Sequence, residues 1–169
     1  YYNTKPPLNV WLIAIAFKLF GPSLVALRIW SISATWLTIA LLQRWVRQRV
    51  GEKLAFYSSL ILTVTFGFIY DHSGRSGNTD AIFTLLILLT VLTLSSAHHT
   101  TRRLGWLGPI MAAVFLLRGM AVVMPLAIVA CALLWDVRQQ RRIPFGSLMI
   151  AAMLFIIPVG AWMFARWRL

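Results

Sequence analysis

Long apolar runs separated by short basic clusters constrain this chain more than any other feature. A membrane-spanning helix needs about 20 predominantly apolar residues. The chain offers runs near that length at residues 23–43, 54–70, 80–96, 105–123, 121–135 and 145–165. With 60% hydrophobic residues and a mean hydropathy of +0.79, its composition lies outside the range of ordinary soluble domains. We therefore predict an all-α fold, a polytopic transmembrane helical bundle of about six spans.

The fourth and fifth runs are divided only by Arg118 and Gly119, so each of them is short. Taken together, residues 105–135 would form a straight helix about 46 Å long at roughly 1.5 Å per residue. That length exceeds a hydrocarbon core of about 30 Å. Two short antiparallel spans fit better than one long span. The sequence therefore predicts that Arg118 and Gly119 form the turn between them.

The basic residues indicate the orientation of the spans. The 16 Lys and Arg residues lie in clusters between apolar runs rather than on one soluble face, which argues against a nucleic-acid partner. The cytoplasmic ends of spans carry an excess of Lys and Arg. Counting spans places three clusters on that face: Arg44, Arg47, Arg49 and Lys53; Arg102 and Arg103; and Arg138, Arg141 and Arg142. The segment 71–80 and Arg118 then share the opposite, outer face of the membrane.

Residues 1–22 are predicted to remain on the outer face. Residues 8–20 are mostly apolar but too few to span, so we expect a helix that lies in the membrane interface. Pro22 is expected in the first turn of the next helix. No linker divides the chain, which predicts a single transmembrane domain over residues 1–169 with its spans within 23–165. Because the chain begins with Tyr1 rather than Met, we expect it to be a piece of a longer protein.

Two of the four carboxylates, Asp71 and Asp80, lie in one polar interruption between two apolar runs. Charge at the edge of a bilayer core is costly unless it is paired or solvated, so such clusters tend to mark functional sites. The alternative is a solvated loop in which Asp80 is the N-cap of the following helix. This segment alone leaves both interpretations open.

Cations on the predicted outer face indicate an anionic ligand. They are Lys5, Lys18, Arg28, Arg75, Arg118, Arg166 and Arg168. Both Arg and Lys bind phosphate, so a lipid phosphate at the interface would account for this charge. Lys18 and Arg28 are better explained by side chains that extend to the headgroups. Lys5 is followed by a conformationally restricted segment, because Pro6 and Pro7 fix their own backbone angle φ.

Three segments carry a resemblance to a known family. They read Tyr-Tyr-Asn-Thr-Lys-Pro-Pro-Leu at 1–8, His-Ser-Gly-Arg-Ser-Gly-Asn-Thr-Asp-Ala at 72–81 and Phe-Leu-Leu-Arg-Gly-Met at 115–120. In order and spacing they resemble the bacterial GT-C glycosyltransferases that use polyprenyl-phosphate sugars. That group includes protein O-mannosyltransferase-like enzymes and the aminoarabinose transferases that modify lipid A.

The resemblance implies a reaction on the periplasmic face, in which a sugar moves from a polyprenyl-phosphate donor to a lipid, glycan or protein acceptor. Lys5 and Arg118 match positions that would hold the donor phosphate, and Arg75 is expected to join them. Cations placed in advance in a poorly hydrated site stabilise the charge that develops on a leaving phosphate.

Asp80 matches a second acidic position of the family and is expected to support catalysis. The general base is expected upstream of Tyr1, so the chain should not turn over alone. His72 and Asn78 are expected to contact substrate. We predict no metal ligands, although the resemblance leaves a divalent metal open as a cofactor. Thr4 departs from the Glu that aminoarabinose transferases carry at this place, which weakens any transfer of their substrate to this chain.

Two other functions remain open from the sequence. A non-enzymatic lipid or solute carrier would use Asp80 and the arginines to line a transport path. A membrane-anchoring subunit would need no site at all. The sequence upstream of Tyr1 would separate the enzyme from the carrier. One more span followed by a loop containing Asp would favour the enzyme, and a second set of inverted-repeat spans would favour the carrier.

Overall fold

The computed structural model describes residues 6–65, 78–97, 101–139 and 145–168, and all regular structure in these ranges is helical. The α-helices are α1 (Leu8–Phe20), α2 (Leu24–Val50), α3 (Glu52–Val64), α4 (Asp80–Ala97), α5 (Leu107–Arg118), α6 (Val123–Arg138) and α7 (Phe145–Trp167). Short 3-10 segments, Thr101–Trp106 and Gly119–Val122, lie on either side of α5. The predicted all-α class is confirmed.

Within the described ranges, three helical stretches are long and apolar enough to cross a bilayer: Leu24–Val50, Leu104–Arg138 and Phe145–Trp167. Leu8–Phe20 and Asp80–Ser95 are apolar but shorter. The predicted count of about six spans stays a prediction. Helix α3 reaches only Val64 within the described residues, and α5 and α6 together make the single candidate span Leu104–Arg138.

A Gly-Pro-Ser linker separates α1 from α2. Gly21 adopts a φ of 74° and its N–H donates to the carbonyl of Phe17, which ends α1. Ser23 is the N-cap of α2, and its hydroxyl accepts a hydrogen bond from the N–H of Ala26 at 3.1 Å. Pro22 therefore lies before the helix, and the prediction that it occupies the first turn was wrong. The Ser23 hydroxyl accepts a hydrogen bond from a backbone N–H in the first turn of the helix. A proline side chain has no acceptor that could do this.

The described chain divides into two compact units, of which the first is Pro7–Leu88. Here α1 packs on α2, and the indole N–H of Trp30 donates to the carbonyl of Leu12 at 2.6 Å. Helices α2 and α3 pack together on either side of Gly51, whose φ of 111° suits glycine, so they form an antiparallel hairpin. Their buried positions are small, as Ala34, Ala55 and Ser59 show. Small residues let membrane helices approach closely.

The second unit comprises Leu89–Leu169 together with Pro6. Its core is the pair α5 and α7, in which Phe115 meets the rings of Phe155 and Trp162 edge to face. Helix α6 contacts the 3-10 segment Gly119–Val122 rather than lying along α5. The helix is interrupted at Arg118 and Gly119, as predicted, but the side-by-side antiparallel packing of the two halves is wrong, because α6 makes its contacts with the 3-10 segment and not along α5. Whether each half crosses the membrane separately stays a prediction.

Candidate functional site

In the first unit, the polar residues Asn78, Thr79 and Asp80 lead into α4. The side-chain amide of Asn78 donates to Oδ2 of Asp80 at 2.9 Å. Its carbonyl oxygen, Oδ1, accepts the backbone N–H of Thr79 at 2.8 Å. Both ends of the amide are therefore used locally, and their chemistry fixes which end faces the carboxylate. Asn78, predicted to contact substrate, thus holds one oxygen of Asp80 in place.

Asp80 is the first residue of α4 rather than its N-cap. The carbonyl of Thr79 accepts the first helical bond, from the N–H of Phe83 at 2.9 Å, which gives Thr79 the cap position. Asp80 itself is half-buried in the first turn. A carboxylate there gains about 0.3–1 kcal/mol from the positive end of the helix dipole. The alternative that Asp80 is the N-cap is therefore wrong by one position. Asp80 instead stabilises the start of the helix from within its first turn.

Ser31 ties this turn to α2. Its hydroxyl donates to the backbone carbonyl of Asn78 at 3.1 Å, and the side chain is buried. Ala81, the residue after Asp80, is also buried, so the start of α4 is anchored in the packed interior. Sequence reasoning missed Ser31. A small polar residue within an apolar span is the signal that could have identified it, since polar groups inside a membrane seek hydrogen-bonding partners.

In the second unit, Arg118 is the last residue of α5 and its side chain is exposed. The backbone leaves helical geometry at Arg118 (φ −136°, ψ 9°) and at Gly119 (φ 58°, ψ −112°), and the N–H of Gly119 donates to the carbonyl of Phe115. The positive φ favours glycine. A cation at a helix C-terminus is favourable because it meets the negative end of the dipole.

Pro6 lies against this break. A Cβ atom built on Gly119 would come within 3.4 Å of Cγ of Pro6. The proline that follows Lys5 in the sequence is thus in contact range of the residue that follows Arg118. The sequence predicted phosphate-binding roles for both cations, but nothing in the spacing of residues 6 and 119 predicted this approach.

Three predicted site residues, Lys5, His72 and Arg75, lie outside the described residues, as does Asp71. Within the described ranges, no group of three or more His, Cys, Asp or Glu side chains is arranged to hold a metal ion. In the first unit the structure describes a positioned carboxylate at the start of α4, which is a hydrogen-bond acceptor. In the second unit it describes an exposed arginine at the end of α5, whose guanidinium is of the type that binds anions.

Comparison with known families decides the class of protein. The model of the dolichyl-phosphate-mannose-protein mannosyltransferase family matches residues 4–162, which include Asn78, Asp80 and Arg118. The chain belongs to this family. Membership confirms the predicted resemblance to GT-C glycosyltransferases that use polyprenyl-phosphate donors.

Curated relatives point to one branch of such enzymes. The chain is 30% identical over 179 aligned positions to the undecaprenyl phosphate-alpha-4-amino-4-deoxy-L-arabinose arabinosyl transferase of Pseudomonas aeruginosa, covering 99% of the chain and 32% of the relative. It is 30% identical to the protein of that name in Pseudomonas savastanoi pv. phaseolicola, covering 88% and 29%. A third, from Pseudomonas fluorescens, is 32% identical over 86% of the chain and 26% of the relative. The chain thus spans about a third of their length. No solved structure matches significantly.

Proposed function

We propose that this chain is the membrane-embedded donor-binding part of a glycosyltransferase. It would move a sugar from a polyprenyl-phosphate donor to a lipid, glycan or protein acceptor at the periplasmic face of a bacterial inner membrane. The observation that carries the proposal is the family match across residues 4–162, which covers the carboxylate of Asp80 and the guanidinium of Arg118. An undecaprenyl-phosphate-linked aminoarabinose is the donor that the relatives' name favours, and lipid A is the acceptor that the resemblance to aminoarabinose transferases implies.

The cations would stabilise the leaving group. As the acceptor attacks the anomeric carbon, the bond to the donor phosphate breaks and negative charge builds on that phosphate. We assign Arg118 to this charge, together with Lys5 and Arg75 from the sequence pattern. Preorganised cations meet such charge best in a poorly hydrated site. The contact of Pro6 with the Gly119 region supports pairing Lys5 with Arg118.

Asp80 would hold a substrate hydroxyl or amine by accepting its hydrogen bond. The Asn78 amide donates to one oxygen of this carboxylate, which holds its orientation. In this assignment Asn78 is a positioning residue, and the general base is a residue other than Asn78 and Asp80.

Transfer from a purified undecaprenyl-phosphate sugar by the full-length protein, followed by mass spectrometry of the acceptor, tests the proposal. Arg118→Ala should lower turnover about ten- to a hundred-fold, since a charge-assisted contact contributes roughly 1.5–3 kcal/mol. Arg138→Ala is the matched control, because Arg138 also ends a helix and loses the same dipole interaction. Equal activity of the two variants would contradict a phosphate role for Arg118.

Asp80→Asn keeps the shape of the side chain and removes its charge. We expect at least about a tenfold loss of turnover, or about 1.4 kcal/mol in the barrier, with the protein still folded and inserted. Wild-type turnover in this variant would show that Asp80 only stabilises the start of α4 and has no role in the transfer. Lipid translocation without any sugar transfer by the wild-type protein would instead support the carrier alternative.

A further inference from the structure

A cationic cleft lies at the opposite end of α2 from the Ser31 contact. It has a volume of about 400 Å³, and its lining includes Gln43 and Arg47 from α2 and Glu52, Lys53, Phe56 and Tyr57 from α3. Along α2, Arg47 follows Ser31 by 16 positions, a rise of about 24 Å at 1.5 Å per residue. The cleft is thus separate from the turn at Asn78–Asp80, which Ser31 contacts, and lies on the predicted cytoplasmic side.

The charges in the cleft favour an anion. Arg47 and Lys53 contribute two positive charges and Glu52 one negative, which leaves one net positive charge. Within the part of the chain that the structure describes, no ion pair joins Glu52 to either cation. Arg49, by contrast, is stacked on Trp45 with its guanidinium carbon 4.8 Å from the ring centroid. Arginine binds a phosphate group through paired N–H donors, and lysine binds it as a point charge.

An apolar stripe on α3 continues from the cleft. Tyr57, Ile61 and Val64 recur at helical spacing, and each is more than half exposed. Phe56 and Leu60 lie beside them and are also exposed. A ligand that fills the cleft and this stripe must therefore combine an anionic head with a long apolar tail.

We propose that the cleft binds one anionic phospholipid of the cytoplasmic leaflet, with its phosphate between Arg47 and Lys53 and an acyl chain along the α3 stripe. The Glu52 carboxylate would accept a hydrogen bond from a headgroup hydroxyl, as in phosphatidylglycerol. A free phosphate would use the cations but leave the stripe uncovered. The proposal does not depend on the glycosyltransferase function.

The test uses the full-length protein with phosphatidylglycerol as the probe. The lipid is titrated in nanodiscs of phosphatidylcholine at about 0.5 M salt, where diffuse attraction between charges more than a few ångströms apart is screened. Native mass spectrometry then counts the phosphatidylglycerol molecules retained per protein. Arg47→Gln should weaken binding about tenfold or more, because it removes a charge-assisted contact. Arg44→Gln is the matched control, since Arg44 carries the same charge in the same cluster but does not line the cleft.

We expect one retained lipid in the wild-type protein and in Arg44→Gln, and none in Arg47→Gln. Glu52→Gln should tighten binding of phosphatidic acid, whose small headgroup offers no hydroxymethyl group to that carboxylate. Equal losses in Arg44→Gln and Arg47→Gln would overturn the proposal in favour of diffuse surface charge. Competition by inorganic phosphate at millimolar concentration would overturn the lipid as the ligand, because it would show that the acyl stripe contributes nothing.

Discussion

Helices α5 and α7 approach each other closely at Gly108, and this contact predicts a specific effect of substitution. An ideal Cβ atom on Gly108 would overlap the carbonyl oxygen of Ala151 and lie 2.8 Å from Cβ of Leu154. Ordinary carbon contacts lie at about 3.5–4.0 Å. The Ala151 carbonyl belongs to the backbone of α7 and cannot rotate away, so the helices must separate by about 1 Å to admit a methyl group.

The cost of Gly108→Ala follows from this geometry. Overpacking of a well-packed interface costs about 1–3 kcal/mol. Replacing glycine by alanine in a helix returns up to about 1 kcal/mol. We therefore expect Gly108→Ala to destabilise the second unit by about 1–2 kcal/mol net. Because α5 carries Arg118 at its end, sugar transfer should fall as well.

Gly146 supplies the matched control for this prediction. It is the second residue of α7, as Gly108 is the second residue of α5, and a Cβ atom built on it meets nothing within 4 Å. Gly146→Ala should be neutral or stabilising by up to about 1 kcal/mol. Thermal unfolding in detergent, followed by the fluorescence of the tryptophans, measures both variants. Equal stability of the two would refute the close approach of α5 and α7.

Three further outcomes are expected. Gly119→Ala should lose about 1–3 kcal/mol of stability because alanine is strained at positive φ, and turnover should fall with it in the same transfer assay. Ser31→Ala should cost about 0.5–1.5 kcal/mol in thermal unfolding through the lost bond to the Asn78 carbonyl, and normal turnover in that variant would show that the bond does not position Asp80. In a Cys131→Ser background, Ser76→Cys should react with an impermeant thiol reagent from the periplasm and Gln139→Cys should not; labelling of both would mean that α5 and α6 cross the membrane once, as a single stretch.

The apolar pattern predicted most of the helical boundaries in the described chain. The length of each apolar run and the Gly and Pro residues between runs are local features, and they are enough to indicate where a helix begins and ends. The apolar run at residues 145–165 corresponds to helix α7, Phe145–Trp167, and the run at 80–96 corresponds to helix α4, Asp80–Ala97. The cap of α4 was misassigned by one position, because Thr79 and Asp80 are both good cap residues and only the backbone bonds distinguish them.

Contacts between distant segments could not be predicted in the same way. The bond from Ser31 to Asn78 joins residues 47 positions apart, and hydropathy does not specify which faces of two helices meet. The approach of Pro6 to Gly119 and the packing of Gly108 against Ala151 also depend on which faces of the segments meet, and hydropathy does not specify this. The residue types at the candidate site were therefore predictable, whereas the groups that hold them were not.

The end of α5 has features that would suit the anion site proposed at Arg118. A helix that stops within an apolar stretch leaves backbone carbonyls that lipid cannot satisfy. The N–H of Gly119 satisfies the carbonyl of Phe115, and the positive charge of Arg118 meets the negative end of the helix dipole. A continuous helix would avoid these requirements. The chain instead keeps glycine at a φ that other residues rarely adopt, directly after a cation. Such an arrangement is stabilised further if an anion binds there, and a lipid phosphate is the anion that the family's donor supplies.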